Sequence, residues 1–455
     1  MGRRSFSESA SRAHSIPSRD LAAIAARLRV ANKKLAAAYP GDPTARQPVH
    51  TLICSADAFR RDSAHTFGTA AIATLDEIAP TGSAFAKLLG ISSMADLIRE
   101  RVLFKLKREP VEDLRLDFED GYGTRPDTEE DGHAQSAAKE LAAGMVAGTL
   151  PPFIGIRIKA MSNELHGRSL RTLDLFVTTL VKTGKRLPDN FAITVPKVMT
   201  PAHVDAVVRA CAALERQLKL KRNSLRLELM IETPQSILAP DGTSALRALV
   251  AAGAGRVRGA HFGVYDYTAL CGITASWQHP RHLACDFARH MMQVALAQTG
   301  VFVSDGSSNI MPIPPHLPRP GRPLTDAQLR ENAAVVHGAW KTHFTDVTHS
   351  LVNANYQGWD LHPGQLPTRY AAVYAFYLGA RPAATARLKK FFGKAAQAGA
   401  VFDDAATGQA LLNFFSRALS SGAITREELM ETGLAPEDLQ GRSFLQILAD
   451  RTTAR

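Results

Sequence analysis

Charged side chains recur at the ends of apolar, β-rich runs. In Leu116-Asp-Phe-Glu-Asp-Gly121, three carboxylates (Asp117, Glu119 and Asp120) fall within four positions behind an apolar lead-in. The same placement returns at Arg157 in FIGIRIK, Lys197 in FAITVPKV and Glu232 in LRLELMIET. It returns again at Asp266 in VRGAHFGVYD, Asp305 in VFVSDGSS and His362 in GWDLHPG. A charge inside a fold must be paired or bind a metal. Acids outnumber cations in this set, which suits a hard divalent ion. Oxygen-only ligands favour Mg²⁺, with Mn²⁺ the alternative, over zinc.

The elements that would carry these residues are eight short runs: 49–56, 113–120, 153–159, 191–198, 225–233, 257–266, 301–308 and 358–364. Ala/Leu-rich stretches with helical periodicity separate them, such as PAHVDAVVRACAALERQL. Alternating strand and helix implies a parallel sheet. Eight such units predict an α/β chain forming a (β/α)8 TIM barrel, with an open doubly wound sheet as the alternative. Side chains alternate faces along a strand. Leu114, Leu116 and Phe118 are therefore expected to face the helices, which turns Asp117 and Glu119 inward. Likewise Leu227, Leu229 and Ile231 face out while Glu228 and Glu232 face in, and Ile154, Ile156 and Ile158 leave Arg157 inside. In the eighth run, Trp359 and Leu361 are read as outward, Asp360 and His362 as inward. Polar groups at the C-terminal strand ends form the mouth of such a barrel. Deeper inward charges, Arg115, Arg226 and Glu228, are read as structural pairs, and His261 as structural.

Three domains are expected: a tail and helix over 1–46, the barrel over 47–370 and a helical C-terminal region over 371–455. The barrel would carry extra helices in 57–112 and a proline-rich excursion, MPIPPHLPRPGRP, before its last strand.

The 455 residues are 45% hydrophobic and 21% charged, enough for a large core, and the formal charge is +11. The basic residues are scattered over expected helix faces, with no zinc-finger spacing or aromatic RNA-binding motif, so nucleic acid is not expected as a partner. No apolar run is long enough to span a bilayer, and no membrane partner is expected. Four cysteines without a C-x-x-C pair suit free thiols in a reducing cytoplasm. The Arg/Ser-rich first 20 residues lack an apolar face and read as a disordered tail rather than a transit segment.

Over residues 110–370 the sequence resembles the citrate lyase beta-chain/HpcH-HpaI aldolase family. LDFEDGYG is similar to that family's D-L-E-D segment, IGIRIK to its R-I-N strand and VPKV to its P-K-V strand. MIETPQSI, HFGVYDYTALCGI and GWDLHPGQL follow in the family's order. The resemblance implies a (β/α)8 barrel and a Mg²⁺-dependent carbon–carbon lyase acting on a 2-keto acid aldol or a 3-hydroxyacyl thioester. By position, Glu232 and Asp266 would bind the metal and Arg157 would hold the enolate oxygen. Asp117 and Glu119 would order the metal's waters and Arg157, while Lys197, Asp305 and His362 would line the substrate. Members that use acyl-CoA carry a C-terminal G-x-M-[IV]-D whose Asp reaches a neighbouring subunit. GAVFD resembles it and makes Asp403 the candidate acid or base, with Asp404 its competitor and a helix cap the plain alternative. That role in trans would require a homo-oligomer. The chain departs from the family at Lys159, in R-I-K, and in its length. His166 and Arg168 are further candidates for an anionic substrate. A malate-synthase-like condensing enzyme and a catalytically silent barrel kept for binding are the competing functions.

Overall fold

The computed structural model describes residues 16–42, 45–395, 403–439 and 443–453. Its sheet has eight strands: β1 (His50–Ser55), β2 (Asp113–Asp117), β3 (Phe153–Arg157), β4 (Phe191–Val195), β5 (Arg226–Ile231), β6 (Val257–Phe262), β7 (Phe302–Ser304) and β8 (Gly358–Asp360). Each lies within one of the eight runs read from the sequence. All pairings are parallel, in the order β7-β6-β5-β4-β3-β2-β1-β8. Beyond the short β7 the chain turns to β8: Ser307 bridges Trp359, and the Asp305 N–H donates to the Gln357 carbonyl at 2.8 Å. The fold is a nearly closed (β/α)8 TIM barrel with a helical C-terminal region. The unbroken succession from β1 to β7 and the Ser307–Trp359 bridge between the two ends of the sheet exclude an open doubly wound sheet.

The parallel register fixes which side chains share a face. Leu52, Leu114 and Ile154 are aligned and buried toward the helices. The opposite face carries Asp117 beside Arg157, and Thr194 beside Glu228. A polar layer fills the barrel below the mouth. Arg115 bonds Asp113 at 2.7 Å, Thr194 at 2.9 Å and Glu228 at 2.9 Å, and Glu228 also meets Arg258 and His261. His261 is thus held as a structural group. Arg258, not Arg226, is the second arginine on Glu228. Burial alone would raise the Glu228 carboxyl, but Arg115, Arg258 and His261 hold it well below the usual range.

β8 corrects the facing read from its sequence. Trp359 points into the barrel, where its indole N–H donates to His261 at 2.8 Å. Asp360 points outward and accepts from Arg369 at 2.8 Å and His343 at 3.0 Å, both on helices. The register with β1 dictates this, because Trp359 sits opposite Thr51 and Asp360 opposite the outward Leu52. Polar residues need not face the mouth when a helix supplies buried cations to meet them.

The helix Ser18–Ala38 precedes the barrel and has no buried residue. Its far end is fixed where the Tyr39 ring lies 4.7 Å from the Arg247 guanidinium. Residues 57–112 hold the helices Ser63–Ile78, Gly82–Leu89 and Ala95–Arg108. The proline-rich segment leads into Asp326–Val352, started by a capping box in which Thr325 and Gln328 satisfy each other's backbone N–H groups. The C-terminal region contains Leu366–Ala395, Asp403–Ser420, Arg426–Met430 and Phe444–Thr453. One buried apolar cluster runs from Val49 to Ile447 and joins these helices to the barrel wall.

Candidate active site

Arg157, at the end of β3, is the best-held residue at the mouth. Its Nε and Nη2 donate to the two oxygens of Asp117 at 2.6 and 2.7 Å, a fork-to-fork pair that fixes the guanidinium plane. Asp117 is satisfied on its other side by the Glu119 and Gly121 backbone N–H groups, at 3.1 and 2.7 Å. A Cβ at Gly121 would lie 2.7 Å from the Asp117 carboxylate, so the turn needs glycine. The third guanidinium nitrogen, Nη1, lies 3.2 Å from Glu119, and the Trp359 ring sits 5.6 Å from the guanidinium carbon. Burial alone would lower the Arg157 pKa, but Asp117 and Glu119 raise it, so the residue stays charged.

Lys197 follows β4 with a left-handed backbone, φ +49°. Its N–H donates to Glu232 Oε1 at 2.6 Å. Its ammonium bonds Glu119, reaches both oxygens of Asp120 at 2.9 and 3.1 Å, and lies 3.7 Å from Asp266. Burial opposes the charge, yet Glu119 lifts the Lys197 pKa above the usual lysine range. Burial pushes the Glu119 carboxyl up, against the pull of Arg157.

Glu232 follows β5, and Asp266 lies in the first turn of the helix Val264–Leu270 that follows β6. Glu232 is 3% exposed, and burial together with the neighbouring Asp266 charge pushes its carboxyl up to about 8. A buried carboxylate crowded by a second one in this way is an arrangement that a dication would relieve. Gly263 makes room for Glu232, since a Cβ there would lie 2.4 Å from the Glu232 Cβ. Among the described residues no three His, Cys, Asp or Glu side chains are grouped as metal ligands. A divalent ion at this mouth would take two carboxylates from the chain, Glu232 and Asp266. Water or substrate oxygens would complete its shell. With that division the residues fit a Mg²⁺ or Mn²⁺ ion, which keeps several non-protein ligands.

Asp117, Glu119, Arg157, Lys197, Glu232 and Asp266 thus come together, and four of the other sequence candidates, Asp305, His362, His166 and Arg168, do not join them. Asp305 follows the outward Val303 and inward Ser304 and turns to the helices, where Arg289 holds both its oxygens at 2.8–2.9 Å and Ser350 donates to it. His362 caps the turn after β8 by accepting the Gly364 N–H at 3.0 Å, and burial lowers its pKa. Asp403 begins the helix Asp403–Ser420, and its side chain lies outside the described residues. Lys159 leaves the mouth to pair with Glu130 at 2.9 Å, and Arg168 pairs with Asp131 at 2.5 Å. His166 bonds the Ser162 carbonyl at 2.9 Å. Sequence reasoning left out two residues that touch the cluster, Asp120 and Trp359. Asp120 was visible as the third acid of LDFEDG. Trp359 was hidden by its apolar character.

A (β/α)8 barrel whose C-terminal strand ends gather an arginine, a lysine and five carboxylates is the class of protein defined here. The chain belongs to the family described as domain of unknown function DUF6986, whose model matches residues 28–447. No curated protein matches it. Among solved structures it is similar to a citrate lyase from Burkholderia xenovorans LB400, with 16% identity and a TM-score of 0.53, over 86% of this chain and 97% of that one. Haloferax volcanii malate synthase in a magnesium/glyoxylate complex shares 13% identity, with a TM-score of 0.44, over 71% of this chain and 75% of that one. The citrate lyase likeness describes the fold. Among the described residues no helix is long and apolar enough to cross a membrane.

Proposed function

We propose that the chain is a Mg²⁺-dependent carbon–carbon lyase or aldolase, a divergent relative of the citrate lyase beta-chain/HpcH-HpaI group, that joins or parts a 2-keto acid and an enolate. The observation that carries this reading is the pairing of a crowded Glu232–Asp266 acid pair with Arg157, whose guanidinium is locked by Asp117. Breaking a β-hydroxy carbonyl bond needs a fixed positive charge where the enolate oxygen forms and a base for the hydroxyl proton. When bound, the metal would polarise the hydroxyl and carbonyl oxygens and orient the carboxylate.

Arg157 cannot swing, because two of its nitrogens are taken by Asp117. Its remaining nitrogen is aimed toward Glu119 and the mouth and would donate to the enolate oxygen without prior reorganisation. The Trp359 ring lies over one side of the guanidinium, 5.6 Å from its carbon. Lys197 balances the acids at the rim and would meet the substrate carboxylate. The base is assigned to Asp403, supplied in trans by a homo-oligomer, and an acyl-CoA thioester is the natural partner of such an arrangement. A reducing cytoplasm belongs to the same proposal, with Cys54, Cys211, Cys271 and Cys285 as free thiols.

The test is exchange of methyl protons for deuterium, followed by proton NMR with pyruvate and, separately, acetyl-CoA in D₂O. The reading expects Mg²⁺-dependent exchange of one of them in the wild type and its loss in Arg157→Ala. No exchange of either, with the protein folded, contradicts enolate chemistry at this mouth.

A further inference from the structure

We propose that Lys197 is a resident cation that a divalent ion must displace, so that this residue sets the metal affinity of the mouth. The inference rests on the metal site proposed above. Five carboxylates surround this mouth: Asp117, Glu119, Asp120, Glu232 and Asp266. Arg157 answers Asp117 with two nitrogens and Glu119 with the third. Among the described residues the only other cation in the cluster is Lys197. Its ammonium is shared among Glu119, Asp120 at 2.9 and 3.1 Å, and Asp266 at 3.7 Å. It therefore stands against one of the two acids offered to the metal, while its own backbone N–H occupies an oxygen of the other.

This position is built in. The left-handed backbone at Lys197 costs free energy in a residue with a Cβ, and here the N–H of that one residue meets Glu232 while its ammonium stands near Asp266. An ion seated between Glu232 and Asp266 would meet the ammonium as a like charge next to a shared carboxylate. The ammonium can withdraw, because Asp120 is a half-exposed partner at the rim that holds it after Asp266 is lost.

The experiment is Mn²⁺ titration followed by electron paramagnetic resonance, without substrate, on wild type, Lys197→Met, Lys197→Arg and Glu232→Ala. Circular dichroism confirms that each variant is folded. Lys197→Met keeps the backbone N–H and the length of the side chain but removes the charge. The proposal expects Mn²⁺ to bind this variant at least tenfold more tightly than wild type, and Lys197→Arg to stay within a few-fold of wild type. Unchanged or weaker binding in folded Lys197→Met overturns it. If Glu232→Ala binds Mn²⁺ as well as wild type does, the metal site itself is misplaced and the displacement falls with it. Loss in Glu232→Ala without tightening in Lys197→Met rejects the displacement alone.

Discussion

Both oxygens of Asp117 are taken by Arg157 and by the Glu119 and Gly121 N–H groups, so the contribution of Asp117 is to position Arg157 rather than to bind substrate. Asp117→Asn would leave one amide edge facing the guanidinium and break the fork. Deuterium exchange in that variant should fall by about 10²-fold, the scale of losing one preorganised donor, with metal affinity nearly unchanged. Equal exchange in variant and wild type would show that Arg157 needs no such hold. Gly263→Ala makes a complementary case, because the new Cβ would lie 2.4 Å from the Glu232 side chain. Metal binding by calorimetry should weaken at least tenfold there while Arg157 stays in place. Much of this was legible in the sequence. Acids and an arginine at alternate positions before the strand ends placed Asp117, Glu119, Arg157 and Glu232 on one face. Asp305 and Trp359 were not legible, because their facing depends on register across the β7–β8 closure and on Arg289, which is 16 residues from Asp305 in the chain.

At the scale of elements, β8 is a strand of three residues whose outward Asp360 is completely buried among Arg369, His343 and His50. Removing one partner of a buried ion pair leaves the other charge uncompensated, at about 3–5 kcal/mol. Asp360→Ala should lose that much in denaturant unfolding, and a loss below about 1 kcal/mol would mean that the pair is not needed for closure. The opposite end of β2 carries a second cluster, in which Arg46 and Lys105 hold Glu109 and Glu112. Burial would raise the Glu109 carboxyl, but Arg46 and Lys105 bring it down to about 2. A carboxyl lowered on folding stabilises the protein above its unfolded pKa, near 4.5, and loses that contribution as the pH falls toward 2. Thermal unfolding should therefore show a decline between pH 4.5 and 2 that is smaller in Glu109→Gln. An identical decline in both would remove Glu109 from the account. The strands themselves were readable from apolar runs and helical spacers. The partners of Asp360 were not, since they come from two different helices and from β1.

For the whole molecule, the barrel and its helical C-terminal region share one apolar core, while the helix Ser18–Ala38 leaves Leu21, Ile24, Leu28 and Leu35 exposed. The proposed role of Asp403 in trans predicts a multiple of the 49.2 kDa chain mass in light scattering, and a strict monomer would remove that role. The eight-unit pattern announced the barrel, because each strand–helix pair carries its own periodicity. The order of the acids around the mouth followed from it without any long-range knowledge. The central claim is that Glu232 and Asp266 hold a divalent ion that binds a keto acid before Arg157. Isothermal titration with Mg²⁺ and oxaloacetate, pyruvate or glyoxylate, on wild type and Glu232→Ala, tests it most directly. The account predicts metal-dependent binding of at least one keto acid in wild type and none in the variant. Keto-acid binding that survives in Glu232→Ala, or that ignores Mg²⁺ in the wild type, would contradict it.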